Sequence, residues 1–60
     1  MKYFILYHIT TKEGVSDVNS SYATIKYVLN NTSIKRLELK MAKTLDVKKV
    51  TILSYKKVAD

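Results

Sequence analysis

The chain has 60 residues, with 11 lysines and arginines against five acidic residues and a formal net charge of +6 at pH 7. This length allows one domain at most, here residues 1–60, which buries only about 60% of the surface that the unfolded chain exposes. The chain has no cysteine and one histidine, so disulfides, cysteine zinc sites and histidine metal sites are excluded, and we predict no metal and no cofactor.

The first predicted element is a strand over residues 2–11, in which tyrosine, phenylalanine and isoleucine predominate. Both of its alternating faces are apolar, which is typical of a central strand that is covered on both sides. Residues 11–20 contain the only glycine, Gly14, and are predicted to form a turn or loop. A plain hairpin connection is favoured there over a loop that frames a binding edge, because such connections are common.

A second strand is predicted over residues 21–29, because apolar and polar residues alternate along this segment. A helix is the alternative, since Ala23, Tyr27 and Asn30 also have helical spacing. The β-branched and aromatic content favours the strand. Its apolar side would carry Ala23, Ile25, Tyr27 and Leu29.

The only predicted helix lies within residues 33–47 and ends near Leu45. Its apolar residues recur at the helical period and form a stripe about 80° wide. They are Ile34, Leu37, Met41 and Leu45, whereas Arg36, Leu39, Lys40 and Lys43 lie on the opposite side.

The start of this helix is expected to be capped by Thr32 or Ser33, which can accept hydrogen bonds from free amides of the first turn. Two basic residues in that turn, Lys35 and Arg36, oppose the helix dipole. A bound anion would relieve the conflict, so Ser33, Lys35 and Arg36 form a candidate anion-binding site. The alternative is a solvated first turn that tolerates the repulsion.

Residues 48–58 are predicted to form the last strand, with Val50 and Ile52 towards the core and Thr51, Leu53 and Tyr55 on the other side. The element order is therefore β-β-α-β, and a right-handed crossover places the third strand beside the first. The predicted fold is α+β, with a three-stranded antiparallel sheet of order 2-1-3 and one helix on one face.

One helix covers only one side of such a sheet, so the other side is predicted to expose apolar surface. In a fold this small the second face of the sheet must also be shielded from solvent, which favours a homodimer. The surface is expected to carry a set of residues drawn from Phe4, Leu6, His8, Tyr22, Thr24, Lys26, Leu53 and Tyr55. The candidate ligand-binding or interface residues are Tyr22, Lys26, Leu53, Tyr55 and His8.

A single-stranded nucleic-acid-binding protein is the alternative, because the same face combines aromatic and basic residues. Eight of the 11 basic residues lie from Lys35 onward, which favours an anionic partner such as nucleic acid, a nucleotide or an acidic protein. In this alternative Tyr22 and Tyr55 stack bases, while Lys26, Lys49 and Lys57 contact the backbone.

Catalysis is not predicted, and no catalytic residue is assigned. The acidic residues lack the spacing of a paired-carboxylate site, and no phosphate-binding loop, nucleophile elbow or metal-ligand spacing occurs. A strand histidine among aromatic residues, such as His8, is more often a packed residue than a base. No segment has the pattern of a signal peptide or membrane span, so a cytoplasmic protein without membrane contact is expected.

The chain begins with MKYFILYHITTKEG, opens its helix with Thr32-Ser33-Ile34 and closes on the valine-rich VKKVTILSY. This layout resembles that of small proteins encoded by phages and prophages of Gram-positive bacteria. Some small phage proteins act against host defence, by blocking a defence protein or by sequestering its nucleotide signal. The resemblance implies a non-enzymatic, dimeric accessory protein that binds a host protein or an anionic nucleotide in the host cytoplasm.

Overall fold

The computed structural model describes residues 1–59, and these contain three strands and one helix. Both strand pairs are antiparallel, and the order across the sheet is β2-β1-β3. The predicted β-β-α-β fold and the central place of the first strand are therefore confirmed. In chain order the elements are β1 (Lys2–Thr10), β2 (Ser16–Thr24), α1 (Ser33–Leu45) and β3 (Lys49–Ala59).

The core lies between the sheet and α1, and β1 supplies its centre. Alternate residues of β1 point to the helix side, so Tyr3, Ile5 and Tyr7 are buried there. The rest of the buried cluster comprises Ile25, Leu29, Leu37, Val50 and Ile52. Leu37 is the buried residue of the predicted helix stripe, whereas Leu45 at its end remains 44% exposed.

The second strand begins at Ser16 rather than at residue 21, so the prediction of its position is wrong. A tight turn replaces the long loop: the N–H of Gly14 donates to the carbonyl of Thr11 at 2.9 Å, and that of Thr11 to the carbonyl of Val15 at 2.8 Å. Gly14 has a φ of 89°, a conformation that favours glycine. Pairing with β1 holds the polar residues after this turn in a strand, overriding their weak strand propensity.

Residues 25–32 lie outside the sheet, although the apolar side chains that were predicted to face the core from this segment do so. The Met1 and Ile25 backbones are joined by two hydrogen bonds of 2.9 and 3.0 Å, and the N–H of Leu29 donates to the Tyr3 hydroxyl at 3.3 Å. Ile25 and Leu29 are buried and Tyr27 is partly buried. This irregular segment therefore completes the core beside α1, which packs against β3.

Thr32 occupies the N-cap position of α1, but its side chain makes no capping hydrogen bond. The prediction that Thr32 or Ser33 accepts from the first amides is therefore wrong, and Asn30 accepts instead. The Asn30 Oδ1 accepts from the N–H groups of Thr32 at 2.9 Å and Ser33 at 3.0 Å. Ser33 Oγ instead accepts from the N–H of Asn30 at 2.9 Å and donates to the carbonyl of Val28 at 2.8 Å. The short asparagine side chain reaches amides two and three residues ahead, which is its usual role in turns.

The C-terminal end of α1 contains a strained residue, Asp46, with φ 55° and ψ 48°. The N–H of Asp46 donates to Lys43 and that of Val47 to Ala42, a pattern that requires this left-handed conformation. Replacing Asp46 with glycine should raise the free energy of unfolding by up to about 1 kcal/mol, because glycine adopts this conformation without a steric penalty. Asp46→Ala keeps the penalty and should not stabilise; equal stability of both variants in urea denaturation would contradict the explanation.

β3 bulges at Leu53, which has no partner on β1 although its neighbours on both sides are paired. The extra residue inverts the alternation beyond it, so one residue shifts side chains to the other face. Tyr55 therefore pairs with Ile5 on the helix side, and its ring centroid lies 6.1 Å from that of Tyr3. The prediction that Tyr55 shares the other face with Thr51 is wrong for this reason.

A side-chain contact ties α1 to β3: the Glu38 Oε2 accepts the backbone N–H of Ile52 at 2.7 Å, and Glu38 is half-buried. Hydrogen bonds to a charged acceptor contribute about 1.5–3 kcal/mol. We expect Glu38→Ala to lower the free energy of unfolding by that amount in urea denaturation. The exposed Glu13 provides the matched control, since Glu13→Ala makes the same change of charge and should have little effect. Equal losses in both variants would contradict this role.

Within the described residues, no helix has the length and apolar content needed to cross a bilayer.

Candidate functional site: the open face of the sheet

The side of the sheet opposite α1 is here called the open face, and no other element within residues 1–59 covers it. The cross-strand register places alternate residues of all three strands on it. They are Lys2, Phe4, Leu6, His8 and Thr10 from β1, Ser16, Val18, Ser20, Tyr22 and Thr24 from β2, and Lys49, Thr51, Ser54, Lys56 and Ala59 from β3.

Large apolar side chains on the open face remain accessible to solvent. Tyr22 is 64% exposed, Val18 51% and Phe4 38%, while Leu6 is half-buried between the flanking strands. In the hydrophobic core, by contrast, no buried residue is more than 9% exposed. Both sides of the sheet thus carry large apolar side chains, but only the side that packs against α1 is shielded from solvent.

The open face carries an aromatic pair. Phe4 and Tyr22 are directly opposite in the register, and their ring centroids lie 5.2 Å apart with an angle of 59° between the planes. Lys2 Nζ lies 5.2 Å from the centroid of the Tyr22 ring. The pair therefore forms a partly exposed apolar platform with a cation at one edge, which can receive an apolar side chain or a base.

The predicted interface residues do not form one cluster. Tyr22 and His8 lie on the open face but at different points along the strands. Tyr55 lies on the helix side, and Leu53 is the bulge residue, 52% exposed. Lys26 is exposed and follows the end of β2.

The predicted anion-binding residues are also separated. The Arg36 guanidinium lies 5.7 Å from the centroid of the Tyr27 ring, whereas Lys35 borders a depression beside β3. Ser33 uses both its N–H and its hydroxyl in hydrogen bonds within the chain. The N–H of Ile34 likewise donates to the carbonyl of Asn30 at 2.9 Å. The first turn therefore directs these donors inward rather than towards a common anion.

The sequence analysis missed Phe4 and Lys2 as partners of Tyr22. The alternation along the first strand already indicated that both lie on the same face, because both occupy even positions. Pairing them with Tyr22 required the register of β2, however, which the predicted start at residue 21 did not provide. Lys56 was missed because the bulge at Leu53 brings it to the open face.

The open face does not place His8 next to an acidic residue across the strands. His8 is half-buried, and its cross-strand partners Val18 and Thr51 carry no carboxylate. Residues 1–59 contain no group of three or more histidine, cysteine, aspartate or glutamate side chains that could hold a metal ion. The open face instead combines apolar and aromatic side chains with lysines at its end.

Comparison of the chain with protein-family models, curated proteins and solved structures found no match. The function of the open face must therefore be inferred from its own residues and their exposure.

Proposed function

We propose that this protein acts by binding rather than by catalysis, and that two copies associate through the open face. The supporting observation is the exposed apolar surface formed by Phe4, Leu6 and Tyr22 on the uncovered side of the sheet. Contiguous exposed apolar surface marks interaction sites in soluble proteins. Tyrosine and phenylalanine are enriched at such interfaces, because they bury much area with few rotatable bonds.

The size of the open face sets the expected strength of this association. Strands of nine or more residues, three abreast, span roughly 30 Å by 14 Å. The projected area is therefore about 400 Å² per copy, or about 800 Å² in total, which is below the size of stable interfaces and typical of weak, transient ones. We expect a dimer that forms at micromolar concentration and exchanges readily.

The dimer would present the basic residues of α1 outward, since α1 lies on the side of the sheet away from the open face. Each copy contributes +6, so the dimer carries +12. A field of that size attracts anionic partners and accelerates their association. This supports an accessory protein of phage type that blocks a host protein or sequesters an anionic nucleotide.

Sedimentation velocity of the purified protein from micromolar to millimolar concentration tests the association. We expect the mass to rise from that of one copy, 6.9 kDa, towards twice that value. The thermal midpoint should rise with concentration too, because association stabilises the folded state by mass action. A protein that remains monomeric throughout this range, with a constant midpoint, would overturn the proposal.

Single-stranded nucleic-acid binding is the second candidate, and the Phe4–Tyr22 platform beside Lys2 favours it. Stacking of bases on aromatic rings is worth about 1–3 kcal/mol per base. In this candidate Phe4 takes the role predicted for Tyr55, which lies on the helix side.

The two candidates compete for the same residues, so one measurement separates them. If bases stack on the platform, a labelled oligothymidylate should bind more weakly as salt rises, and saturating oligonucleotide should dissociate the dimer. No change in fluorescence anisotropy at low salt would exclude the nucleic-acid candidate and leave the dimer proposal standing.

A further inference from the structure

A second surface lies on the helix side, in a shallow depression between α1 and the start of β3, here called the basic groove. It has two contiguous halves that share Leu39, Ala42 and Lys48. Its apolar part includes the buried Val50 and the half-buried Val47, and Leu39 is 72% exposed. Its polar lining consists of Lys12, Lys35, Glu38, Lys40, Lys43, Asp46, Lys48 and Lys49.

Both acidic residues of the basic groove already have a partner within the chain, one in a hydrogen bond and the other in an ion pair. Glu38 accepts the backbone N–H of Ile52 at 2.7 Å, and Asp46 Oδ1 lies 2.6 Å from Lys12 Nζ. The hydrogen bond and the charge of Lys12 hold the pKa of the Asp46 carboxyl below its usual range, so Asp46 is ionised at neutral pH.

The remaining lysines of the basic groove have no carboxylate partner within residues 1–59. Lys49 pairs with Thr10, so its side chain lies on the side of the open face. The other five lysines against two acids leave a local charge of +3 around the exposed Leu39. Like charges at this density repel one another, and an anionic occupant would relieve the repulsion. The groove lysines without a carboxylate partner in the described residues are Lys35, Lys40, Lys43 and Lys48.

The lining favours carboxylates over phosphates as the anionic groups. The basic groove runs along the side of α1 and past its C-terminal end, so the free amides at the start of the helix, which often bind phosphate, do not form part of it. It contains no arginine, which would bind phosphate with two parallel hydrogen bonds, and no aromatic ring on which a base could stack. Lysines act instead as separate point charges, which suits carboxylates spread along a peptide.

We propose that the basic groove binds an acidic segment of a partner protein, in which carboxylates flank one large apolar side chain that packs on Leu39. The exposed Leu39 supplies the apolar contact, and Ala42 and Val47 lie beside it. The basic groove and the open face are on opposite sides of the sheet, so this inference holds for a monomer and for a dimer.

A labelled peptide of glutamate and aspartate residues around a single phenylalanine tests the proposal by fluorescence anisotropy. A second peptide replaces that phenylalanine with alanine at the same charge. We expect the phenylalanine peptide to bind at least ten-fold more tightly, and this preference to disappear in Leu39→Asp. The affinity should also fall about ten-fold in the double variant Lys43→Gln, Lys48→Gln, because two carboxylate partners are lost.

The double variant Lys2→Gln, Lys56→Gln is the matched control, since it makes the same change of net charge on the open face. Circular dichroism establishes that each variant is folded, and sedimentation velocity should be unchanged in Leu39→Asp. Equal affinity for the two peptides, or an equal loss in both double variants, would overturn the proposal. Oligothymidylate that displaces the phenylalanine peptide, and that binds more weakly in the groove double variant but not in the control, would overturn it in favour of nucleic acid.

Discussion

Replacing Ile5 with alanine should leave most of the protein unfolded at room temperature. Ile5 lies in the middle of the central strand and is 0% exposed. Truncating a fully buried isoleucine costs about 2–5 kcal/mol, from lost burial and from the cavity left behind. A core of this size supplies only about 3–5 kcal/mol in total, so the loss is comparable with the whole stability. Urea denaturation followed by circular dichroism measures it.

Two further variants show whether the effect belongs to the core. Val18→Ala shortens a side chain that is 51% exposed on the open face and should change the free energy of unfolding by about 0.5 kcal/mol or less in the monomer. Ile5→Val removes one methylene at the core position and should cost about 0.5–1.5 kcal/mol. A cooperative transition of near wild-type stability in Ile5→Ala would contradict the central place of β1 in the core.

The largest effect on association should come from Phe4→Lys. A two-fold face-to-face dimer contains Phe4 twice, so this variant places two ammonium groups in the interface. A buried charge without a partner costs about 3–5 kcal/mol. The dissociation constant of the dimer is expected to be only micromolar. A loss of that much association free energy should therefore leave a monomer at every accessible concentration. Sedimentation velocity measures the distribution of mass.

The control for Phe4→Lys is Val15→Lys, which makes the same change of charge in the hairpin turn, where Val15 is 62% exposed. The dimer should persist in this variant. Loss of the dimer in both variants would attribute the effect to net charge rather than to the open face. Persistence of the dimer in Phe4→Lys, with the fold intact by circular dichroism, would show that the copies associate elsewhere.

The amino-acid sequence by itself determined the class of fold, because its signals are local. The helical period of Ile34, Leu37 and Met41 predicted α1, and the structure ends α1 at Leu45 as expected. The two apolar faces of the first strand predicted its central place, which the sheet order confirms. Periodicity and strand composition depend on residues close together in the chain, so they can be interpreted without knowledge of distant contacts.

The tertiary structure alone decided which side chains meet on each surface. Pairing with β1 holds the polar Ser16–Thr24 segment in a strand, and the bulge at Leu53 moves Tyr55 to the helix side and Lys56 to the open face. The basic groove likewise joins Lys12 to Lys48, which are distant in sequence. Register and bulges follow from the hydrogen bonds that one strand offers another, and a shift of a single residue exchanges the faces. No pattern within a single segment specifies the register or the position of a bulge. The residues of the candidate sites could therefore be identified only in the folded structure.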